Sequence, residues 1–358
     1  MAAELLEAYT RWLREKGAIR SAPVAKAFAT VPRHRFLRRI VASQAGPLDL
    51  PVTEPLTDEL AKLIYLADEA LVTRLAGDVP TSSSTQPSLM ARMLEELDLA
   101  PGQRVLEIGS GTGYNAALIT TITGTDVITV DVQPDVVADA QSALAGYPAV
   151  HAVLGDGYIG YPAGGPYDRI IVTCGVGGLS PAWLDQLAPG GLILAPVHHG
   201  GFHPNVAAWR SPDGRVVGRA VLCSDFMIAA GPLHPGFLRA PAVAFDWPPA
   251  EHRYPFSELD LITHLDLWFA AAVADARIDR RPVADFSAFG ECALVDPSGL
   301  VLIQRDAVRA FDADQSVVDC ALALVGQWQA AGRPALDEWR CEFPADSGLY
   351  RPTGWRRV

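Results

Sequence analysis

The residues best suited to chemistry lie in VLEIGSGTGYNAA, where Glu107 precedes Gly109, Gly111 and Gly113. Glycines let a backbone turn sharply and approach a ligand closely, and the helix after them points its N-terminal N–H groups at a polar group. The G-x-G-x-G pattern alone is a weak signal, because dinucleotide-binding proteins use three glycines at another spacing to hold a pyrophosphate. A carboxylate two residues before the first glycine repels a pyrophosphate but attracts a cofactor with an amine and a sulfonium. The segment therefore favours S-adenosylmethionine.

Two further acidic residues follow the next two predicted strands. Asp131 ends the run DVITVDV, and Asp156 lies in GDG after AVHAVL. The first carboxylate is placed to accept both ribose hydroxyls, and the second to accept from the adenine amine. Capping of the following helix is the alternative interpretation of each aspartate. The predicted cofactor-binding residues are Glu107, Gly109, Ser110, Gly111, Thr112, Gly113, Asp131, Val132, Asp156 and Gly157.

Five short β-rich runs must position these residues: RVLEIG, DVITVDV, AVHAVLGD, DRIIVTCG and GLILAPV. They alternate with helical stretches near 114–122, 134–146 and 180–187, and a helix over 87–98 begins at Pro87, where a missing N–H costs nothing. Strands that alternate with helices form a mostly parallel sheet covered on both faces. After it, NVAAWR and RVVGRAVLC flank the turn SPDG and predict an antiparallel hairpin. The predicted fold class is α/β, with a doubly wound, Rossmann-like sheet.

The flanking parts of the chain are less regular. Residues 4–40 predict two short helices, and residues 47–80 fit a helix or a strand. Six prolines in residues 231–256 are typical of a linker. Beyond them we predict a helix at 257–275, a hairpin turning at PSG, a helix at 315–331 and a last strand, DEWRCEF. The predicted domains are an N-terminal helical cap and substrate-side segment (1–80), a cofactor-binding core (81–230), and a linker with a small α+β domain (231–358).

Six segments of the chain resemble the motif series of the protein L-isoaspartyl O-methyltransferases over residues 25–228: VPRHRFL, SSSTQPSLMARMLEEL, VLEIGSGTGYNAA, LGDG, DRIIVTCG and PGGLILAPV. The resemblance implies that a T-I-S-x-P segment supplies a hydroxyl to the substrate carboxylate and the cofactor. The family serine falls on Thr85, with Ser83 and Ser84 beside it, and these three are the predicted catalytic residues. Without the other motifs, a serine run before a proline is more typical of a helix cap or a loop.

The resemblance also contains a departure and a reason why few residues suffice. The family's short D-x-x-L-P-I-like loop is replaced by YLADEALVTRLAGDVPT, where the substrate backbone would bind. A carboxylate with a pKa near 4 is ionised at neutral pH, so methyl transfer to it needs no general base. Catalysis is then mainly placement of the nucleophile.

The chain continues about 120 residues beyond residue 236, and this extended form, with SSSTQP and GTGYNAA, is similar to actinobacterial methyltransferases that are associated with ribosomally made peptides, particularly ATP-grasp-crosslinked peptides (graspetides) and some lanthipeptides. That resemblance implies esterification of an aspartate in a precursor peptide, followed by closure to a succinimide, or aspartimide. The C-terminal domain is then expected to recognise the acceptor. The alternatives are repair of isoaspartate in damaged proteins, methylation of a small molecule, and an inactive cofactor-binding protein.

The charge and hydropathy of the chain exclude some partners. The net charge of −12 repels a phosphate backbone, and the basic cluster Arg33, Arg35, Arg38 and Arg39 is short, so we expect no nucleic-acid partner. No run of about 18 apolar residues is present, so no membrane partner is expected. The sequence leaves the oligomeric state open.

The cysteines and histidines predict no metal site. Five cysteines without C-x-x-C spacing, Cys174 among them, predict free buried thiols in a cytoplasmic protein. His198, His199 and His203 share one glycine-rich loop after a strand, and no carboxylate partner is expected near them to complete a zinc site.

Overall fold

The computed structural model describes residues 2–42, 46–50, 56–236, 249–283, 287–346 and 348–358. In these ranges the helices are α1 (Ala2–Glu15), α2 (Ala22–Thr30), α3 (Asp58–Tyr65), α4 (Pro87–Glu96), α5 (Tyr114–Thr123), α6 (Pro134–Ala143), α7 (Pro181–Gln186), α8 (Leu261–Ala274) and α9 (Gln315–Ala330). None of them combines the length and apolar character of a membrane span. Residues 237–248, the middle of the predicted linker, lie outside the described residues.

The described strands form two large sheets and two hairpins. They are β1 (Arg39–Ala42), β2 (Gly46–Asp49), β3 (Leu71–Ala76), β4 (Val79–Ser84), β5 (Val105–Ile108), β6 (Val127–Asp131), β7 (Val150–Leu154), β8 (Tyr167–Val172), β9 (Leu187–Pro196), β10 (Asn205–Arg210), β11 (Val216–Leu222), β12 (Ala250–Arg253), β13 (Ile278–Val283), β14 (Ser287–Asp296), β15 (Gly299–Ile303), β16 (Ala307–Phe311), β17 (Trp339–Glu342) and β18 (Thr353–Arg357).

The larger sheet has nine strands in the order β18-β17-β11-β10-β9-β8-β5-β6-β7. Its centre is parallel, from β7 across to β9, and β10 and β11 add the predicted antiparallel hairpin. All four residues of β5 are buried, as expected of a strand covered by helices on both faces. The predicted α/β, Rossmann-like class is confirmed. Because parallel strands end at one edge, the loops after β5, β6, β7 and β8 meet there.

The N-terminal part packs against α5, a helix of this sheet's cover, through aromatic contacts. The Tyr9 ring lies 4.9 Å from that of Tyr65 and 5.8 Å from that of Phe28, and Phe28 lies 6.2 Å from Tyr114 of α5. The stretch 47–80, which fitted a helix or a strand, contains both α3 and the first strand of the β3–β4 hairpin. That hairpin leads directly into α4, which begins at Pro87 as predicted.

The C-terminal part forms a five-stranded antiparallel sheet, β12-β16-β15-β14-β13, with α8 and α9. Its hairpin turns between Asp296 and Gly299, at the predicted PSG. The predicted last strand, DEWRCEF, lies elsewhere: β17 pairs with β11 of the nine-stranded sheet, and β18 pairs with β17. Cys341 and Phe343 are buried in the core of the larger sheet. This burial favours the pairing of β17 with the larger sheet over the C-terminal one.

Candidate active site

The glycine loop between β5 and α5 has three residues in the left-handed region, Gly109 (φ 99°), Gly111 (φ 48°) and Gly113 (φ 82°). A Cβ at Gly109 would lie 2.5 Å from the Thr173 hydroxyl oxygen, and one at Gly111 would lie 3.2 Å from the Ser83 carbonyl oxygen. Both conformation and space therefore require glycine at Gly109. The close approach of Ser83 to Gly111 brings the predicted acceptor segment against the predicted cofactor loop.

Glu107 is 1% exposed and supports the glycine loop through hydrogen bonds with neighbouring side chains. Its carboxylate accepts hydrogen bonds from the Asn115 amide (2.7 Å) and the Thr129 hydroxyl (2.6 Å). The Thr129 and Ser110 hydroxyl oxygens lie 2.9 Å apart, which connects the carboxylate to the loop. Burial raises the pKa of Glu107 to about 7, although both hydrogen bonds oppose the shift.

Asp131 ends β6 beside the glycine loop and accepts the backbone N–H groups of Gly111 (3.3 Å) and Gln133 (3.1 Å). Burial raises the pKa of Asp131 above its ordinary value, and these N–H groups lower it. The next side chain, Val132, is exposed. Asp156 is also exposed and accepts the N–H of Tyr158 at 2.9 Å, a local bond within a turn and not the cap of a helix. The two aspartates follow neighbouring strands, as the sequence predicts.

The predicted acceptor segment comprises the end of β4 and the turn into α4. Ser83 and Thr85 are half-buried, whereas Ser84 is 1% exposed. The Ser84 hydroxyl accepts a hydrogen bond from the Arg33 guanidinium (3.2 Å), so it faces inward. The Thr85 hydroxyl has no hydrogen-bond partner among the residues described. Gln133 donates its side-chain amide to the Thr81 carbonyl (3.0 Å), a second contact of β4 with the cofactor side.

Arg33 is fully buried behind this segment. Its guanidinium donates to the carbonyls of Ile64 (2.6 Å), Ser84 (3.2 Å), Thr85 (3.0 Å) and Glu69 (3.4 Å), besides the Ser84 hydroxyl. Arg33 is therefore separated from its neighbours in the short basic cluster, since Arg35, Arg38 and Arg39 are exposed. The proline before it and the 3₁₀ turn Arg33–Phe36 direct the side chain inward, where unpaired carbonyls take up its donors.

The histidine loop contains a contact that the sequence does not reveal. His203 Nδ1 lies 3.3 Å from Asp225 Oδ1, and Arg280 of β13 donates to the other oxygen of Asp225 at 2.6 Å. The expectation that no carboxylate lies near these histidines is wrong, because a loop 22 residues farther along folds back onto His203. Within the described ranges, no three histidine, cysteine, aspartate or glutamate residues form a group that could hold a metal. Burial raises the pKa of the Cys174 thiol to about 12, which disfavours a catalytic thiolate.

The residues at this edge fit S-adenosylmethionine. The glycine cradle leaves room for close backbone approach, and Asp131 supplies an acceptor for hydroxyls. The Asn115 side-chain oxygen is buried and has no partner among the described residues, beside the Glu107 carboxylate. An unpaired acceptor next to an acidic group suits an amine of the cofactor.

Comparison with known proteins agrees with this geometry. The model of the family "Protein-L-isoaspartate(D-aspartate) O-methyltransferase (PCMT)" matches residues 62–231. The chain is similar to the protein-L-isoaspartate O-methyltransferase of Pyrococcus horikoshii, with 36% identity over 205 residues, 55% of this chain and 81% of the relative. The enzyme of that name from Thermotoga maritima is 33% identical over 62% of this chain and 65% of the relative. A solved structure of a protein-L-isoaspartate O-methyltransferase superposes over 99% of both chains, with 26% identity and a TM-score of 0.55.

Fold, site and comparisons together define an S-adenosylmethionine-dependent methyltransferase, which confirms the predicted enzyme class and cofactor. Within that class the chain belongs to the protein-L-isoaspartate O-methyltransferase family. The chemistry is transfer of a methyl group to a protein or peptide carboxylate. The solved structure extends over the C-terminal part as well, so that part alone does not distinguish this chain from its family.

Four polar residues that organise the site are not predicted from the sequence: Arg33, Asn115, Thr129 and Thr173. The Thr173 hydroxyl donates to the Gly109 carbonyl (2.7 Å) and so holds the glycine loop against the end of β8. Asn115 and Thr129 could have been recognised from the sequence, since each is a polar residue inside an apolar run, YNAALI and VITVD respectively. Such residues need buried partners, and Glu107 serves both.

Proposed function

We propose that this chain methylates the side-chain carboxylate of an aspartate in a ribosomally made, crosslinked precursor peptide. The backbone nitrogen of the next residue then attacks the ester carbonyl, the C–O bond to methoxide breaks, and the amide proton leaves with it as methanol. The product is a succinimide, or aspartimide. Esterification promotes this closure because methoxide is a far better leaving group than oxide.

The observation that supports this acceptor is a contrast between the two sides of the site. Glu107, the glycine loop and Asp131 follow the family pattern on the cofactor side. On the acceptor side, the β3–β4 hairpin stands where the resemblance implies a short loop, and Thr85 stands where it implies serine. A retained cofactor side with an altered acceptor side favours the same reaction on a different acceptor.

The residues of this chain contribute placement rather than proton transfer. S-adenosylmethionine, when bound, supplies an activated methyl group. The acceptor carboxylate is ionised at neutral pH, and the Thr85 hydroxyl is available to donate to one of its oxygens, which leaves the other free to react. The Ser83 carbonyl oxygen lies close to Gly111, so the acceptor segment and the cofactor loop are adjacent. Orientation of this kind supplies several kcal/mol.

Repair of isoaspartate is the second candidate. The observation that favours it is the superposition of a solved protein-L-isoaspartate O-methyltransferase over 99% of both chains. The two candidates share the transfer step and differ in which carboxylate reaches Thr85: the α-carboxylate of an isoaspartyl residue or the side chain of an aspartate.

We further propose that the C-terminal part recognises the acceptor. Its link to the core supports this role, since Arg280 holds Asp225 beside His203. In Arg280→Ala, recognition predicts a raised KM for a long peptide and an unchanged KM for a hexapeptide. Weakened cofactor binding with both acceptors would instead indicate a part that only covers the core.

The acceptor is tested by competition between three synthetic peptides of one sequence: a linear aspartyl peptide, its isoaspartyl isomer and a side-chain-crosslinked aspartyl peptide. Mass spectrometry follows the gain of a methyl group and the later loss of methanol. The proposal predicts preference for the crosslinked aspartyl peptide, whose conformation is already ordered. Preference for the isoaspartyl isomer would restore repair, and no methylation of any peptide would favour a small-molecule or inactive role.

A further inference from the structure

Arg33 is a buried charge without a counter-charge. Its side chain is 0% exposed, and every hydrogen-bond partner is a carbonyl or a hydroxyl oxygen. Within the described parts of the chain, no carboxylate lies within ion-pair distance of its guanidinium. Buried charges in proteins are ordinarily paired, because desolvation is costly. A fixed, uncompensated positive charge behind Thr85 therefore requires a reason.

Two phenols that interact with the guanidinium, those of Tyr9 and Tyr114, remain neutral. Burial raises the pKa of both above the ordinary value. Tyr65 and His34 hydrogen-bond to each other at 2.6 Å nearby. The two phenols supply no negative charge at neutral pH, and the carboxylate of Asp68, which also acts on Tyr9, is paired with Lys16 at 2.9 Å. No group in the described parts of the chain therefore pairs with the charge of Arg33.

The carbonyl contacts of Arg33 also orient the backbone. Across a trans peptide plane the C=O and N–H bonds point in opposite directions. Because the carbonyls of Ser84 and Thr85 accept from Arg33, the N–H groups of Thr85 and Gln86 point away from it. Neither N–H has a hydrogen-bond partner in the described ranges. With the free Thr85 hydroxyl, the segment presents three donors, and a positive charge polarises the peptide groups from behind.

We propose that Arg33 is a positioning residue for the methyl acceptor: it holds the Ser84–Gln86 backbone so that its N–H groups receive the acceptor carboxylate, and its charge favours the ionised acceptor. The inference rests on the proposed position of that carboxylate at Thr85, whichever acceptor is correct. The substrate carboxylate, when bound, is then the counter-ion that Arg33 otherwise lacks.

The test measures preference for charge rather than activity alone. The probes are an aspartyl peptide and its asparaginyl counterpart, titrated into full-length enzyme saturated with S-adenosylhomocysteine. In Arg33→Met, the aspartyl-over-asparaginyl preference is expected to fall about tenfold, the scale of one charge acting through partly buried protein. In Arg33→Lys the charge remains but the planar fork is lost. That variant is expected to keep the preference and to lose kcat about 10²-fold, with cofactor affinity unchanged.

Arg169 provides the matched control, because it also holds backbone carbonyls, those of Leu97 (2.6 Å), Asp168 (2.9 Å) and Asp98 (3.2 Å). These contacts lie near the start of β8, at the edge of the sheet away from the active site. Arg169→Met should therefore leave charge preference and kcat unchanged. If Arg33→Met does not fold, Ser84→Ala removes one Arg33 contact and is expected to lower kcat with the preference intact. Unchanged preference in folded Arg33→Met, or unchanged kcat in both Arg33→Lys and Ser84→Ala, would overturn the proposal. Where the competition selects the isoaspartyl isomer, the probes are that peptide and its α-carboxamide counterpart, and the same outcomes decide the proposal.

Discussion

The cofactor side and the acceptor side of this site are constructed differently. The cofactor loop takes its shape from neighbours in sequence, three left-handed glycines between β5 and α5 and a carboxylate at the end of β6. The acceptor segment is held instead by long-range contacts, above all by Arg33, 51 residues before Ser84. A site constructed in this way can keep its reaction while its acceptor side changes. The following variants test that separation.

The largest effect is expected from Gly109→Ala on the cofactor side. The residue has φ 99°, and the new Cβ would lie 2.5 Å from the Thr173 hydroxyl oxygen. Backbone strain and the clash together should weaken cofactor binding by more than about 10³-fold in calorimetry. Gly124→Ala is the control, because Gly124 is also left-handed (φ 67°) but has open space around its Cβ position. Comparable loss of cofactor binding in both variants would mean that general strain, not the loop, is responsible.

Asp131→Ala should weaken cofactor binding about 10²-fold, because hydrogen bonds from hydroxyls to a charged acceptor are lost. The variant also releases the N–H groups of Gly111 and Gln133. Asp131→Asn separates these effects, since it keeps one oxygen for the backbone and loses the charge. Unchanged cofactor affinity in folded Asp131→Ala would remove this residue from the site.

Thr85→Val tests the acceptor side alone. Loss of its hydroxyl should lower kcat about 30-fold and leave the cofactor Kd nearly unchanged, whereas Thr85→Ser should keep much of the activity. Rapid-quench kinetics and calorimetry measure the two quantities. If Thr85→Val lost cofactor affinity and turnover equally, the hydroxyl would have a capping role and the two sides would not be separable.

The smallest effect concerns Glu107 and stability. Burial raises its pKa from 4.5 to about 7, so the folded state binds this proton more tightly than the unfolded state. The contribution is fully present below about pH 4.5 and is lost as the pH rises through about 7. Glu107→Gln should therefore flatten the fall in Tm between about pH 5 and about pH 8 by a few degrees. An identical pH dependence in both proteins would contradict the raised pKa.

The difference between the cofactor side and the acceptor side also explains which parts of the site can be predicted from the sequence. The glycine loop, Asp131 and the start of α4 at Pro87 depend on local conformation, and a motif carries that information. The partners Arg33–Ser84 and His203–Asp225 depend on segments that meet only in the folded chain. The pairing partner of DEWRCEF could not be predicted either, since its pattern specifies a strand but not the strand with which it pairs.

The pairing of β17 with β11 has a consequence for folding. Until residues 339–342 arrive, β11 presents a row of unpaired N–H and C=O groups to solvent. Such an open edge is a template for pairing with another chain, and a contact between strands so far apart in sequence forms slowly. In a nascent or proteolysed chain that lacks β17, β11 is therefore an exposed, aggregation-prone edge strand of the catalytic sheet. In the complete chain β17 covers that edge.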